Sequence, residues 1–353
     1  MIPEAAAALE RARHLCIVLL TGLGDVVHGL PVVNAIRCRR PDLRVTWVAE
    51  PMPAQLLSPH VAIDEVVAWR KKDGWQGVKD LRSRLASTRF DLTLNLNIYF
   101  KAAIPTLLSR AETRLGFGRG RARDGVWLAH THSLPPGPRK HTQDMFLDFL
   151  DVLGVPRPNP LEWRLALTEE EMEAQARFFE PFEGRPVCAV VPASANPKKD
   201  WVPERHVPLV DELASIGFAV VLAGGPGERE TAIAHRVLDR ASTRPAWGLG
   251  DGVRRLLWLL AGCDLVIAPD TGPVHIARAL EIPLIGLYGH TNPWRVGPYG
   301  AFHDLWVNAY DEPGMPPDPS NFEPKHGRME RITVDDVLAR VHHAIGRYGI
   351  RTS

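Results

Sequence analysis

Short, nearly continuous apolar runs alternate along this chain with stretches whose apolar residues recur every three or four positions. In the first half the runs HLCIVLLT, LRVTWVAE, DEVVAW and FDLTLNLNI predict strands. Between and after them VVHGLPVVNAIRCRR, GVKDLRSRLAST, KAAIPTLLSR and HTQDMFLDFLDVLG predict helices, and the N-terminal MIPEAAAALERARHL is helix-prone. Val/Ile/Leu-rich strands without strict alternation are buried on both faces, which calls for a parallel sheet covered by helices on each side.

A proline-rich stretch, GVPRPNPLEWRL, then reads as a linker. Beyond it the alternation restarts. TEEEMEAQARFFEPF predicts a helix capped by Thr168, with acidic residues in its first turn. PVCAVVPA, FAVVLAGG, CDLVIAPD and IPLIGLYG predict strands, interleaved with the helices ERHVPLVDELASIG, GERETAIAHRVLDR, VRRLLWLLAG and GPVHIARALE. A second proline-rich loop, YDEPGMPPDPSNFEPKHGRME, precedes a last helix, TVDDVLARVHHAIGRYG, capped by Thr333. The expectation is an α/β protein of two doubly wound, Rossmann-like domains, residues 1–163 and 164–332. A C-terminal helix, 333–353, is expected as a separate element, with a crossing back to the first domain left open. In such folds the ligand site lies in the central cleft, at the carboxyl ends of the strands.

Composition narrows this little. The chain of 353 residues is 45% hydrophobic and 24% charged with a net charge of +1, so no global field selects nucleic acid, and a charge-driven partner must be met by a local patch. Cys16, Cys38, Cys188 and Cys263 are widely spaced, which excludes a metal-binding cysteine pattern, and three lie in or beside apolar runs as buried free thiols would. The N-terminal segment carries charges through its apolar part and does not read as a signal peptide. No apolar run reaches the roughly 20 residues that a spanning helix needs. A cytoplasmic protein is expected, with loose contact with the inner membrane left open.

Five stretches carry candidate chemistry. In LLTGLGDVVHGLP, Gly22-Leu23-Gly24 half-matches a dinucleotide-binding turn, with Glu50 at the end of the next strand as a ribose-binding acid. Two features oppose a nicotinamide cofactor there: Val27 replaces the third glycine, and Asp25 would aim a negative charge where a pyrophosphate docks. Asp25 reads either as a helix cap or as a chemical group. In APDTGPVHIARAL a strand ends in the turn Asp270-Thr271-Gly272, whose backbone amides and Thr271 hydroxyl suit an anion at a helix start. His275, in the first turn, reads equally as a phosphate donor or a structural histidine. PASANPKKDW places Ser194 and Lys199 just past another strand end, again suited to phosphate. LAGGPGE brings glycines close to a ligand, with Glu228 either a ribose acceptor or simply a helix start. Finally Arg110, Arg114, Arg119, Arg121 and Arg123, with Lys101 upstream, form a basic run that is either a solvated face or a platform for an anionic partner.

In this order the motifs resemble glycosyltransferase family 9, the bacterial heptosyltransferases that build the lipopolysaccharide inner core. The Gly-Asp dipeptide of TGLGDVVHGLP, the segment RLGFGRGRARDG, the loop PASANPKKDW and the block PDTGPVHIARALEIPLIGLYGHTNPWRVGPYG carry the resemblance. It implies a GT-B fold and an inverting, metal-independent transfer from a nucleotide sugar, usually ADP-heptose, with no cofactor. The acceptor is expected on the N-terminal domain: an anionic glycolipid such as Kdo-lipid A, met by Gly24, Lys101, Arg119, Arg121 and Arg123. Asp25 becomes the general base and Lys199 a catalytic cation. Ser194, Ala195, Lys199, Glu228, Asp251, Asp270, Thr271, Gly272 and His275 become donor-binding positions. Where the family often shows Gln-Gly before Lys-Ser, this chain has Leu96-Asn97-Ile98-Tyr99-Phe100-Lys101-Ala102, which leaves the acceptor open. The rivals are a NAD-dependent oxidoreductase with its cofactor at Gly22–Gly24, a transferase-like fold that only binds sugar nucleotides or a protein partner, and a transferase of the same fold acting on another glycan or a protein.

Overall fold

The computed structural model describes residues 1–352. The chain divides into two compact units, Met1–Ala166 and a second beginning at Leu167.

The first unit holds six parallel strands: β1 (His14–Val18), β2 (Arg44–Ala49), β3 (Glu65–Ala68), β4 (Leu92–Asn95), β5 (Thr113–Gly116) and β6 (His132–Ser133), in the order β3-β2-β1-β4-β5-β6. Every residue of β1 is buried, as a central strand covered on both faces requires. One sheet face is covered by a core in which Cys16, Val18 and Leu20 meet Leu81, Leu85, Ala102, Ala103, Val126 and Ala129. On the other face lies the helix Leu23–Arg39, packed against the helix Thr142–Leu153. Gly29 permits that approach: a Cβ there would stand 2.8 Å from the Trp47 ring and 2.9 Å from Leu19.

The second unit repeats the plan with β7 (Val187–Val190), β8 (Ala219–Gly224), β9 (Ala246–Leu249), β10 (Leu265–Pro269), β11 (Leu284–Tyr288) and β12 (Val307–Asn308). All pair in parallel, in the order β12-β11-β10-β7-β8-β9. Read from the opposite edge, this is the strand order of the first unit. In both sheets the order reverses at one place, between β1 and β4 and between β7 and β10. Loops leaving the carboxyl ends of those strands diverge there and open a crevice.

Thr168 and Thr333 both close capping boxes, each hydroxyl accepting the N3 amide and each N-cap amide bonded to the N3 carboxylate, as expected. The last helix, Val334–Tyr348, belongs to the second unit instead of returning to the first. Its Val337, Val341 and Ala344 are buried, it packs on β11, β12 and the helix His206–Ile216, and His343 and Tyr348 both hydrogen-bond Asp304. Cys16, Cys188 and Cys263 are buried and protonated, their thiols pushed up by burial, while Cys38 is exposed.

Candidate functional site

Both groups of candidate residues follow from the switch points. In the first unit the chain leaves β1 through Thr21 and Gly22 and enters the helix at Leu23. Gly22 holds the N-cap position with no side-chain cap. Asp25 is thus the third helical residue, partly exposed in the first turn, where the helix dipole favours a negative charge. Gly24 beside it is partly exposed. The loop after β4 brings in Lys101, whose Nζ donates to the Thr21 hydroxyl and lies 3.4 Å from Glu50 Oε1 at the end of β2. Asp25, Thr21, Glu50 and Lys101 therefore gather at the carboxyl edge of β2, β1 and β4. Asn97 stiffens this edge: its amide bridges the Val18 carbonyl (2.8 Å) and the Leu20 amide (3.3 Å).

The basic run separates. Arg119 and Arg123 are exposed, the former lying over the Trp127 ring at 6.0 Å. Arg121 does not join them. It is buried, stacks over Phe117 at 5.2 Å and holds Asp148 at 2.6 Å, a carboxylate also reached by Lys140 (2.6 Å) and Arg157 (2.8 Å). Its place among acceptor-binding residues is corrected to a structural one, because its side chain is only 6% exposed and is held against a carboxylate. Arg114 is likewise spent on the carbonyls of Ala129 and Ala111.

In the second unit the loops after β7 and β10 meet. Lys199 Nζ lies 2.7 Å from Asp270 Oδ2; the carboxylate side chain is 7% exposed and the lysine 28%. Burial pushes the Asp270 pKa up, but the Lys199 ammonium beside it outweighs that and holds it below the ordinary carboxylate value. His275 is buried, and desolvation lowers its pKa to about 4, so it is a neutral imidazole at pH 7. After Asp270 the helix Gly272–Ala279 begins with Thr271 at its N-cap, whose hydroxyl makes no cap bond. The first amides of a helix have no intrahelical partner, and with the dipole they form an anion site. Asp270 thus aims Lys199 instead of contacting a ligand, and the remaining ammonium hydrogens stay available beside the helix start.

Ser194 serves the loop. It is buried; its amide and hydroxyl both donate to Asp200 Oδ1 (2.6 and 2.9 Å), and the hydroxyl also lies 2.7 Å from the Asn196 carbonyl. Asp200 Oδ2 takes Arg229 Nε at 2.6 Å, and Arg229 donates in turn to the Ser194 carbonyl. Trp201, buried, anchors the loop through Nε1 to the Ile332 carbonyl at 2.8 Å. The hydroxyl of Ser194 is therefore an organiser, and the exposed loop tip at Ala195 is the part open to a ligand. Glu228 is exposed at the start of its helix. It is Glu230 that folds back over the glycine loop, 3.3 Å from the Gly225 amide, and burial raises its pKa. Asp251 stays exposed in the turn after β9, outside the Lys199–Asp270 cluster.

The motif order that carries these groups decides the family. The sequence model of glycosyltransferase family 9 (heptosyltransferase) matches residues 78–313. The chain belongs to glycosyltransferase family 9. It is 31% identical over 306 residues to the lipopolysaccharide core heptosyltransferase OpsX of Haemophilus influenzae, covering 86% of each chain. With lipopolysaccharide heptosyltransferase 1 of Escherichia coli it shares 27% identity over 309 residues, 81% of this chain and 91% of that one. Among solved structures, a family 9 glycosyltransferase from Veillonella parvula superposes with a TM-score of 0.79 at 22% identity, covering 94% and 96% of the two chains. E. coli heptosyltransferase WaaC with ADP gives 0.72 at 21% identity, covering 94% and 98%. These likenesses establish the GT-B fold, and membership of family 9 makes the chain a glycosyltransferase and sets aside the nicotinamide reading.

Proposed function

We propose that this family 9 enzyme moves a heptose from ADP-heptose to a hydroxyl of a lipopolysaccharide inner-core acceptor, by a single inverting displacement that needs no metal, at the cytoplasmic face of the inner membrane. Names of the relatives support the substrate class: OpsX is a lipopolysaccharide core heptosyltransferase, and WaaC has been solved with ADP and with ADP-2-deoxy-2-fluoro heptose. The observation that carries the mechanism is the 2.7 Å pairing of Lys199 with buried Asp270 beside an uncapped helix start.

The donor diphosphate binds over Thr271 and Gly272. The acceptor oxygen forms a bond to the anomeric carbon as the bond from that carbon to the diphosphate oxygen breaks. The acceptor proton passes to Asp25, a contribution of about 10² to 10⁴ in rate. Charge developing on the departing ADP is met by Lys199 and the Thr271 and Gly272 amides, in place of a metal ion. Neutral His275 can add one N–H and no charge. Arg119, Arg123 and Lys101 meet the anionic groups of the acceptor. Which inner-core sugar accepts is set in part by the Leu96–Ala102 segment, where this chain departs from its family.

The test uses purified enzyme, ADP-heptose and a Kdo-lipid A acceptor. Asp25→Asn should bind ADP as the native protein does and lose at least about a hundredfold in transfer. Chelator should leave the native rate unchanged, and the product linkage should be inverted. Near-normal turnover of Asp25→Asn, loss of activity in chelator, or a retained anomeric configuration would each overturn the corresponding step.

A further inference from the structure

The first unit carries a charge segregation of which the proposed transfer uses only Lys101, Arg119 and Arg123. Between Arg70 and Leu128 stand 13 basic and 5 acidic residues, an excess of +8 in a chain whose total is +1. The same stretch holds five large apolar side chains turned to solvent: Trp75, Tyr99, Phe100, Leu107 and Leu128, exposed from 45% at Tyr99 to 78% at Leu128. They ride on elements that form one layer. The helix Ala103–Leu108 packs on the helix Gly74–Ala86 and on the turns Phe100–Ala102 and Val126–Ala129. Leu81, Leu85, Ala102, Ala103, Val126 and Ala129 of that layer are buried in one core cluster against the sheet. The exposed side chains of the same elements therefore form the layer's outer surface. Lys71 and Lys72 precede Trp75, and Arg119 and Arg123 precede Leu128, all exposed.

We propose that this outer surface docks the enzyme on an anionic phospholipid bilayer, with the aromatic and leucine side chains entering the headgroup boundary and the lysines and arginines facing lipid phosphates. Exposed aromatic residues among cations fit a bilayer interface better than a protein partner, whose contact core would be poor in charge. Ten of those cations and four of the anions are exposed, a surface excess of +6 that an anionic leaflet attracts and orients. Among the described residues no helix is long and apolar enough to cross a membrane, so attachment of this kind is peripheral. The proposal deepens the lipid-linked acceptor reading above. Its test reads lipid binding with no sugar transfer, so the two fail separately.

The experiment is flotation of the purified full chain with vesicles of phosphatidylethanolamine and phosphatidylglycerol, free of any glycolipid, at about 0.1 M salt. The protein should float with these vesicles and stay behind with pure phosphatidylcholine. Raising salt should release it. Trp75→Ala with Leu128→Ala, and separately Lys71→Glu with Lys72→Glu, should each lower the bound fraction about tenfold while circular-dichroism melting and ADP affinity stay native. No flotation, equal flotation on neutral vesicles, or native flotation by folded variants would overturn the proposal. So would variants that change the sedimentation of the lipid-free protein, since the patch would then be a contact between copies of the chain.

Discussion

Replacing Lys199 by Met keeps the side-chain length and removes the charge that Asp270 faces at 2.7 Å. Breaking a fully buried pair costs about 3 to 5 kcal/mol, because the remaining charge is stranded. Here the carboxylate is buried but the lysine is 28% exposed, so solvent screens part of the loss and about 2 kcal/mol is expected. The sign with pH follows. In the native protein the Asp270 pKa is lowered, so its stability contribution is present above the unfolded carboxylate value and fades only as pH falls below it. Without Lys199, burial dominates and the Asp270 pKa rises above its unfolded value. The destabilisation is then greatest near pH 7 and shrinks as pH falls toward the raised pKa. Urea unfolding of the native protein, Lys199→Met, Asp270→Asn and the double variant at pH 7 and pH 5 reads this directly. The double variant should be more stable than the sum of the single losses requires. Turnover of Lys199→Met should drop about 10² to 10³, as for loss of one preorganised charge-stabilising donor. A pH-independent loss below about 0.5 kcal/mol, with ADP affinity and turnover near native, would refute both the ion-pair reasoning and the assignment of Lys199 to the leaving group.

Two further outcomes are expected. His206 and His275, both in the second unit and both lowered to about 4 by burial, bind protons when unfolded but not when folded. Each should withdraw about 2 kcal/mol of stability as pH falls from 7 to 5, so unfolding of the second unit followed by urea titration should weaken steeply in that window; a flat profile would show that these imidazoles charge without unfolding. Arg121→Met should destabilise the first unit by about 1 to 2 kcal/mol, since Lys140 and Arg157 still hold Asp148, and leave the acceptor Michaelis constant alone. Arg123→Ala should do the reverse, and a raised acceptor constant in Arg121→Met without loss of stability would return Arg121 to the binding surface.

Central strands were legible because each is a nearly continuous run of buried apolar residues, as a strand covered on both faces requires. The strands that escaped reading are those whose pattern is too short or too mixed. β6 and β12 have two residues each, too few for any period, while Thr113–Gly116 and Ala246–Leu249 are four-residue strands with a glycine and polar or half-exposed positions. Sheet position, not side-chain pattern, stabilises such strands. The terminal helix gives no sign in the sequence of which unit it packs on, for a related reason. Its amphipathic period reveals that one face is buried, but not against what, and Asp304, which bonds His343 and Tyr348, lies in the single 3-10 turn His303–Leu305, too short to show a period.

At the site, sequence reading found the residues that end strands and missed those that aim them. Asp25, Lys199 and the Asp270-Thr271-Gly272 turn follow strand ends, where chemistry is expected on general grounds. Asp200 and Arg229 stand 29 positions apart, and nothing in their spacing foretells that one carboxylate holds the Ser194 amide, the Ser194 hydroxyl and a guanidinium together. Nothing in the sequence separates Glu230 from Glu228, yet in the folded helix start Glu228 is exposed and Glu230 turns back to the Gly225 amide. The physical distinction is general: a ligand-facing group needs only to sit at a strand end, whereas an aiming group needs a partner, and partnership between distant residues is a property of the folded chain. The loop carrying Lys199 can hold one position because Asp200, Arg229 and Trp201 spend their hydrogen bonds on it, which leaves the lysine's own ammonium to pair with Asp270.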